Sequence, residues 1–195
     1  MGAGAPCAQA CAQRIGTEGL PADTHAVIVA GGTGERFGDP RGKQFVELCG
    51  LPLMCWSLIA FDRAPSVAGI VVVCSPDRAA EVEKDVLSRL SLQKPVTRQA
   101  SVLSGLGAVP REREFVAVHD AARPLVETPM IERAVAEVRG DDSLAGAILA
   151  ARSVDTLKLV EGTTIVATPD RSFYWAAQTP QVFRRRVLLA AHKAA

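Results

Sequence analysis

No apolar run in this sequence approaches the roughly 18 to 20 residues that a bilayer-spanning helix needs, and that absence excludes a single-span or multi-span helical membrane protein. A surplus of charge is missing too. With 22 Lys and Arg against 21 Asp and Glu, the formal net charge is +1, so nothing supports a broad nucleic-acid or membrane surface, and each basic residue has to be argued at its own site. The five cysteines, Cys7, Cys11, Cys49, Cys55 and Cys74, are odd in number and lack the paired short spacings of a zinc site or a redox motif. They read as reduced thiols, with Cys74 in the core at the end of an apolar strand and Cys7 and Cys11 exposed in a small-residue leader. That leader, residues 1–24, is rich in Ala and Gly, and its first basic residue is Arg14. It has neither the charged n-region nor the apolar h-region of a secretory signal, so it is expected to be flexible and the protein to stay in the cytoplasm. Internal repeats and low-complexity segments are also lacking.

What remains is a chain of 195 residues, 48% hydrophobic and 22% charged, which fits one soluble domain over residues 25–195 with a substantial core. Short β-branched runs alternate with amphipathic stretches. Strands are expected at Ala26–Ala30, Ile70–Cys74, near Val96, at Phe115–His119 and at Ala145–Ala151. Helices are expected at Pro52–Arg63, Pro76–Leu90, Ser101–Val109 and Pro129–Arg139. Pro52, Pro76 and Pro129 sit near helix starts, where a missing N–H costs little. The alternation predicts an α/β fold, Rossmann-like, with a mostly parallel sheet and helices on both faces. After Ala151 the pattern changes to Val154–Val160, a Glu161-Gly162 turn and Thr163–Ala167, which predicts a protruding β-hairpin arm over about residues 152–172. A two-stranded hairpin is marginal alone in water, so the arm is expected to pack on the body or on a second subunit, making a homodimer. A segment from Trp175 to Phe183 and a helix from about Arg184 to His192 follow.

The densest chemistry lies in Ala30-Gly31-Gly32-Thr33-Gly34-Glu35-Arg36, followed by Lys43-Gln44. A glycine-rich turn directly after an apolar strand leaves backbone N–H groups bare, glycine permits unusual backbone conformations and close approach, and Arg36 and Lys43 add point charges. Together these suit a polyphosphate. Two further motifs open at predicted strand ends, where ligands of open parallel sheets bind. In His119-Asp120-Ala121-Ala122-Arg123-Pro124, Asp120 is placed to hold Mg²⁺, which usually takes one or two carboxylates plus phosphate oxygens and waters. The plainer alternative makes Asp120 a cap of the following turn. His119 reads as a satisfied core imidazole, and Arg123 as a ribose contact or a lock on the loop. In Arg98-Gln99-Ala100-Ser101-Val102, Ser101 is either a base-reading hydroxyl or a simple N-cap. On the arm, Asp155-Thr156-Leu157-Lys158 and Asp170-Arg171 offer a hydroxyl and cations for a phosphorylated substrate.

Two familiar nucleotide readings fail. A dinucleotide fold wants a third glycine where this chain has Phe37, and no acid stands at the ribose-binding distance. A P-loop needs Gly-Lys-Ser/Thr, and Lys43 is followed by Gln44.

The motifs already quoted, with Gly42-Lys43-Gln44-Phe45 and Trp175-x-x-Gln178-Thr179-Pro180-Gln181-x-Phe183, occur in an order that resembles the 2-C-methyl-D-erythritol 4-phosphate cytidylyltransferase family from about His25 onward. Ribitol-5-phosphate cytidylyltransferases look similar but generally carry Ser-Val in place of Ala121-Ala122. The resemblance implies that Ala30, Gly31, Gly32 and Gly34 wrap the CTP phosphates, with Arg36 and Lys43 stabilising charge at the α-phosphate. Ser101 would then recognise cytosine, Ala121 and Arg123 the ribose, and Asp120 Mg²⁺. Thr156 and Arg171 would hold the polyol phosphate from the arm of a partner subunit. The chain departs from that pattern in carrying Gly42 where the family usually has Pro, Lys94-Pro95-Val96 where glycines usually precede the arginine, and Ala100 where Asp is common. Relatives in that family continue through a further strand and helix with a phosphate-binding lysine, and this chain, ending at Ala195, is expected to lack them. Without them, the competing expectation is a CTP-binding module with impaired catalysis.

Overall fold

The computed structural model describes residues 21–32 and 42–194. Gly34, Arg36, Cys7, Cys11 and nearly all of the expected leader lie outside the described residues. In chain order the elements are β1 (Thr24–Val29), β2 (Glu47–Leu48), β3 (Leu51–Pro52), α1 (Leu53–Asp62), β4 (Val67–Val73), a helical stretch over 76–89 containing α2 (Ala79–Glu81), β5 (Val96–Gln99), α3 (Val102–Ala108), β6 (Phe115–Asp120), α4 (Thr128–Gly140), β7 (Gly146–Arg152), β8 (Leu159–Glu161), β9 (Thr164–Ala167), β10 (Trp175–Arg184) and α5 (Arg185–Ala194).

Six strands form the central sheet in the order β5-β4-β1-β6-β10-β7. Neighbours among β5, β4, β1 and β6 run parallel, and β10 is antiparallel to both β6 and β7. The mostly parallel sheet expected from the apolar runs is therefore present, with one reversed strand threaded between β6 and β7. Ala26, Val27 and Ile28 of β1, Ile70 to Val72 of β4, and Val116 and Ala117 of β6 have no exposed surface. Strands covered on both faces read as continuous hydrophobic runs for that reason.

Each face has its own core. Met54, Cys55, Leu58 and Phe61 of α1 and Ile131, Ala134, Val135 and Val138 of α4 pack on one face. Leu106 of α3, Val109 and the half-buried Leu188 and Leu189 of α5 pack on Val27, Val71 and Val116 of the other. Their spacings of three, four and seven residues place them on single helix faces. The stretch expected as one helix over Pro76–Leu90 is instead a 3₁₀ turn at Pro76–Arg78, the short α2, a π turn at Val82–Val86 and a 3₁₀ turn at Leu87–Arg89. The wide turn keeps Val82 and Val86, four residues apart, both buried.

The hairpin arm exists but is shorter than expected, pairing only β8 with β9. Every residue from 158 to 168 is exposed. None of the described helices is long and apolar enough to cross a membrane.

Candidate active site

The chain leaves β1 toward β4 and β5 on one side and later returns to β6 on the other, so strand order reverses at the carboxyl ends of β1 and β6. A crevice at such a point is where open α/β sheets bind ligands. Register puts Val29 of β1 beside Asp120 of β6, and the Ala121 amide donates to the Val29 carbonyl at 2.9 Å. Ala30-Gly31-Gly32 and the loop from Asp120 to Arg123 are thus neighbouring lips of one cleft.

Ala30 is buried, with its amide donating to the Val73 carbonyl at 2.7 Å. Gly31 and Gly32 are exposed. Neither has a positive φ, and a Cβ on either would meet nothing within 4 Å among the described residues. The use of glycine here is therefore open approach to the backbone, rather than the left-handed conformation that glycine also permits. Strain falls on Gly42 instead. Its φ of 93° and ψ of 149° lie where side chains are rarely tolerated, and a Cβ there would stand 2.9 Å from both Nε2 and Oε1 of Gln44. A proline, locked near φ of about −65°, cannot take that conformation.

Gln44 is a residue whose role the sequence did not disclose. It is buried, and its Nε2 donates to the Ala30 carbonyl at 3.1 Å and the Gly32 carbonyl at 3.4 Å. That amide turns the glycine loop's carbonyls inward. Lys43, next to it in a 3₁₀ turn over Lys43–Phe45, is exposed at the same lip.

On the second lip, Asp120 Oδ2 accepts from Arg123 Nε at 2.7 Å, both side chains remaining almost half exposed. A pair so wet is worth at most about 1 kcal/mol, so a ligand can separate it cheaply. Arg123 also donates to Gln178 Oε1. Beside it opens a cavity of about 530 Å³ lined by Arg123, Gln178, Thr179, Leu125, Met130 and Leu149. Ala121 is buried. His119 has no exposed surface, stacks obliquely on Phe61 with centroids 5.2 Å apart, and has both ring nitrogens hydrogen-bonded. Burial pushes its pKa down to about 4 from 6.5, so near neutral pH it is the satisfied, uncharged core imidazole that the sequence suggested.

Ser101 caps α3, accepting from the Ser104 amide at 3.1 Å while its hydroxyl meets Ser104 Oγ at 2.9 Å. It stands at the same end of the sheet, beyond the tip of β5, two strands or roughly 10 Å from β1. Cys74 is core as expected, and Cys55 is buried with its thiol pushed up to about 11 by desolvation.

Thr156 and Arg171 are exposed on the arm, and Arg171 Nη1 donates to the Val154 carbonyl at 2.7 Å. The arm leaves the sheet from the carboxyl end of β7, the end that carries the two lips. Among the described residues no group of three or more His, Cys, Asp and Glu could hold a metal. Asp120 supplies one carboxylate, which suits a magnesium ion only if phosphate oxygens and waters complete its shell.

A three-layered α/β sheet whose strand-order reversal carries a bare glycine turn, a cation and an acid is the architecture of a nucleotidyltransferase. The profile of the IspD family, 2-C-methyl-D-erythritol 4-phosphate cytidylyltransferase, matches residues 24–195. The chain belongs to that family. A protein of that description from Geobacter metallireducens is 39% identical over 180 residues, covering 87% of this chain and 76% of its own length. One from Xanthomonas oryzae pv. oryzae is 43% identical over 174 residues, covering 84% and 62%. Among solved structures, 4-diphosphocytidyl-2C-methyl-D-erythritol synthase from Anaerococcus prevotii superposes with a TM-score of 0.74 at 22% identity, over 91% of this chain and 76% of that one. That likeness concerns the fold alone. The 2-C-methyl-D-erythritol 4-phosphate cytidylyltransferase of Thermus thermophilus gives a TM-score of 0.63 at 28% identity, over 87% and 74%.

Proposed function

We propose that this chain transfers the cytidylyl group of CTP to 2-C-methyl-D-erythritol 4-phosphate and releases pyrophosphate. The observation that carries the reading is the convergence of Gly31-Gly32, Lys43, Asp120 and Arg123 at the carboxyl ends of adjacent strands. An oxygen of the acceptor's phosphate attacks the α-phosphorus of CTP, a new P–O bond forms, and the bond from the α-phosphorus to the bridging oxygen of the β-phosphate breaks. A phosphate monoester is largely dianionic near neutral pH and needs no general base, so the task is to bring two anions into line and neutralise their repulsion.

Ala30, Gly31, Gly32 and Gly34 line the triphosphate, and Lys43 and Arg36 stabilise the charge that grows at the α-phosphate. Ala121 and Arg123 hold the ribose, and Ser101 reads the base. Asp120 would hold Mg²⁺, which would supply positive charge to the phosphate oxygens. Thr156 and Arg171 hold the acceptor from a partner subunit's arm. Dimerisation is supported by the arm's apolar exposure, with Leu159 57% and Ile165 59% exposed and Phe173 82%. Such apolar surface on a hairpin too small to be stable alone calls for a covering surface. The free thiols Cys49, Cys55 and Cys74 and the water-soluble substrates support action in the cytoplasm.

The test is pyrophosphate release from CTP with methylerythritol phosphate and with ribitol 5-phosphate, side by side. Release with the first acceptor alone is expected. Preference for ribitol phosphate, or calorimetric CTP binding without release, would overturn the assignment.

A further inference from the structure

Beneath the second lip lies a chain of polar side chains, two buried and one half-buried, that the chemistry above does not use. Its members come from three elements: Thr179 of β10, His119 of β6 and Ser57 of α1. Thr179 Oγ1 accepts from the Asp120 amide at 3.2 Å and meets His119 Nδ1 at 2.9 Å. His119 Nε2 lies 3.2 Å from Ser57 Oγ and 3.3 Å from the Arg123 carbonyl. Ser57 Oγ stands 3.2 Å from the Ala121 carbonyl and 3.3 Å from that of Arg123. Ser57 and His119 have no exposed surface.

One proton assignment satisfies every member. The Thr179 hydroxyl donates to Nδ1, Nε2–H donates toward Ser57 Oγ and the Arg123 carbonyl, and the Ser57 hydroxyl donates to the Ala121 carbonyl. The chain therefore grips the backbone of the 120–123 loop at Asp120 N, Ala121 O and Arg123 O. Those are the residues whose side chains form the lip. The ladder between β10 and β7 shifts register between Ala177 and Gln181, and Thr179 lies within that interruption. Polar groups in an apolar core cost 1 to 3 kcal/mol each, roughly, if left unpaired, and an apolar core would have served stability as well.

We propose that Thr179, His119 and Ser57 are positioning residues for the transfer reaction, fixing the backbone that aims the Asp120 carboxylate and the Arg123 guanidinium, and so act on kcat more than on nucleotide affinity. This rests on the cytidylyltransferase reading above. A displaced loop still leaves CTP held by the glycine turn and within reach of the long Arg123 side chain, but the Asp120 carboxylate would no longer place the cation it is proposed to hold against the charge that develops on the transferring phosphate. Misplacement by 1 Å can lower a rate by up to about a hundredfold.

The experiment compares Thr179→Val, nearly the same shape without the hydroxyl, with Thr179→Ser, which keeps it. Thermal melts, steady-state pyrophosphate release and calorimetric CTP titration are run on the full chain. In Thr179→Val, kcat should fall by about tenfold or more while the CTP dissociation constant moves by less than about threefold. Thr179→Ser should stay within about threefold of the parent in both. Wild-type kcat in Thr179→Val, or equal impairment of the serine variant, overturns the proposal. If Thr179→Val does not fold, Ser57→Ala is read by the same kcat and affinity criteria and decides the matter. An inactive parent protein in the same assay would instead refute the proposed reaction.

Discussion

Lys43 and Gln44 are adjacent in sequence but should fail in opposite ways. Replacing Gln44 by Leu removes the donor to the Ala30 and Gly32 carbonyls. Gly32 is exposed, so water takes over there. Ala30 is 5% exposed, so its carbonyl is left without a partner, at a cost of about 1 to 3 kcal/mol. For a domain of this size 1 kcal/mol shifts the melting temperature by roughly 2 to 4 °C. Gln44→Leu should therefore lose between about 2 and 12 °C, and CTP affinity should fall with it because the turn's amides are no longer held outward. Lys43→Ala removes an exposed cation and should leave the melt unchanged. It should nevertheless lower kcat by about 10²- to 10³-fold, the magnitude found when one donor to developing charge is lost. Differential scanning calorimetry beside pyrophosphate release separates the two. A Gln44→Leu protein with the parent's melt and affinity, or a Lys43→Ala protein with near-normal turnover, would refute the division of labour.

Three other outcomes are expected. Gly42→Pro, although it installs the residue that the family usually has, should destabilise by about 1 to 3 kcal/mol or more, since φ of 93° is closed to proline; an unchanged denaturant midpoint would show that the loop does not need that conformation. His119 is neutral when folded and takes up a proton below pH 6.5 when unfolded, so its contribution is intact above pH 6.5 and is lost as pH falls toward about 4, by up to about 3 kcal/mol. The melting temperature of His119→Gln should therefore drop less between those pH values than the parent's, and parallel curves would contradict the assignment. If the arm serves a partner's site, mixing inactive Lys43→Ala and Arg171→Ala chains should restore about a quarter of parental activity through mixed dimers carrying one intact site each, whereas no recovery after co-refolding would argue against a shared site.

The parallel part of the sheet was legible because strands buried on both faces have to be apolar throughout, as Ala26 to Ile28 and Val71 to Val73 are. The position of β10 was not. Its composition, Trp175 to Arg184, states neither that it runs antiparallel nor that it inserts between β6 and β7, because both follow from pairing rather than from periodicity. The site divides in the same way. Gly31, Gly32, Lys43, Asp120 and Arg123 announce themselves by residue type at strand ends. Gln44, Ser57 and Thr179 do not, since their partners lie 12 to 66 residues away and, the His119 ring apart, are backbone groups that any residue could have supplied. Ser57 left only a faint mark, as one hydroxyl in the otherwise apolar run from Leu53 to Phe61.

The division also has a physical cause. Groups proposed to meet the phosphates of CTP and of the acceptor must stay charged and accessible, and a charge pays heavily for burial unless it is paired. Lys43, Asp120, Arg123 and Arg171 accordingly remain at or near the surface, where long side chains are free to wander. Their placement must come from the backbone beneath them, and a backbone loop at a strand end has carbonyls and amides that the sheet no longer satisfies. Neutral side chains can enter the core to meet those groups at little cost, provided every donor and acceptor finds a partner. Gln44 does this for the lip that carries the glycines, and Thr179, His119 and Ser57 do it for the lip that carries the acid. The two systems share no residue, so the two lips of the cleft are each fixed to the sheet by an independent set of hydrogen bonds.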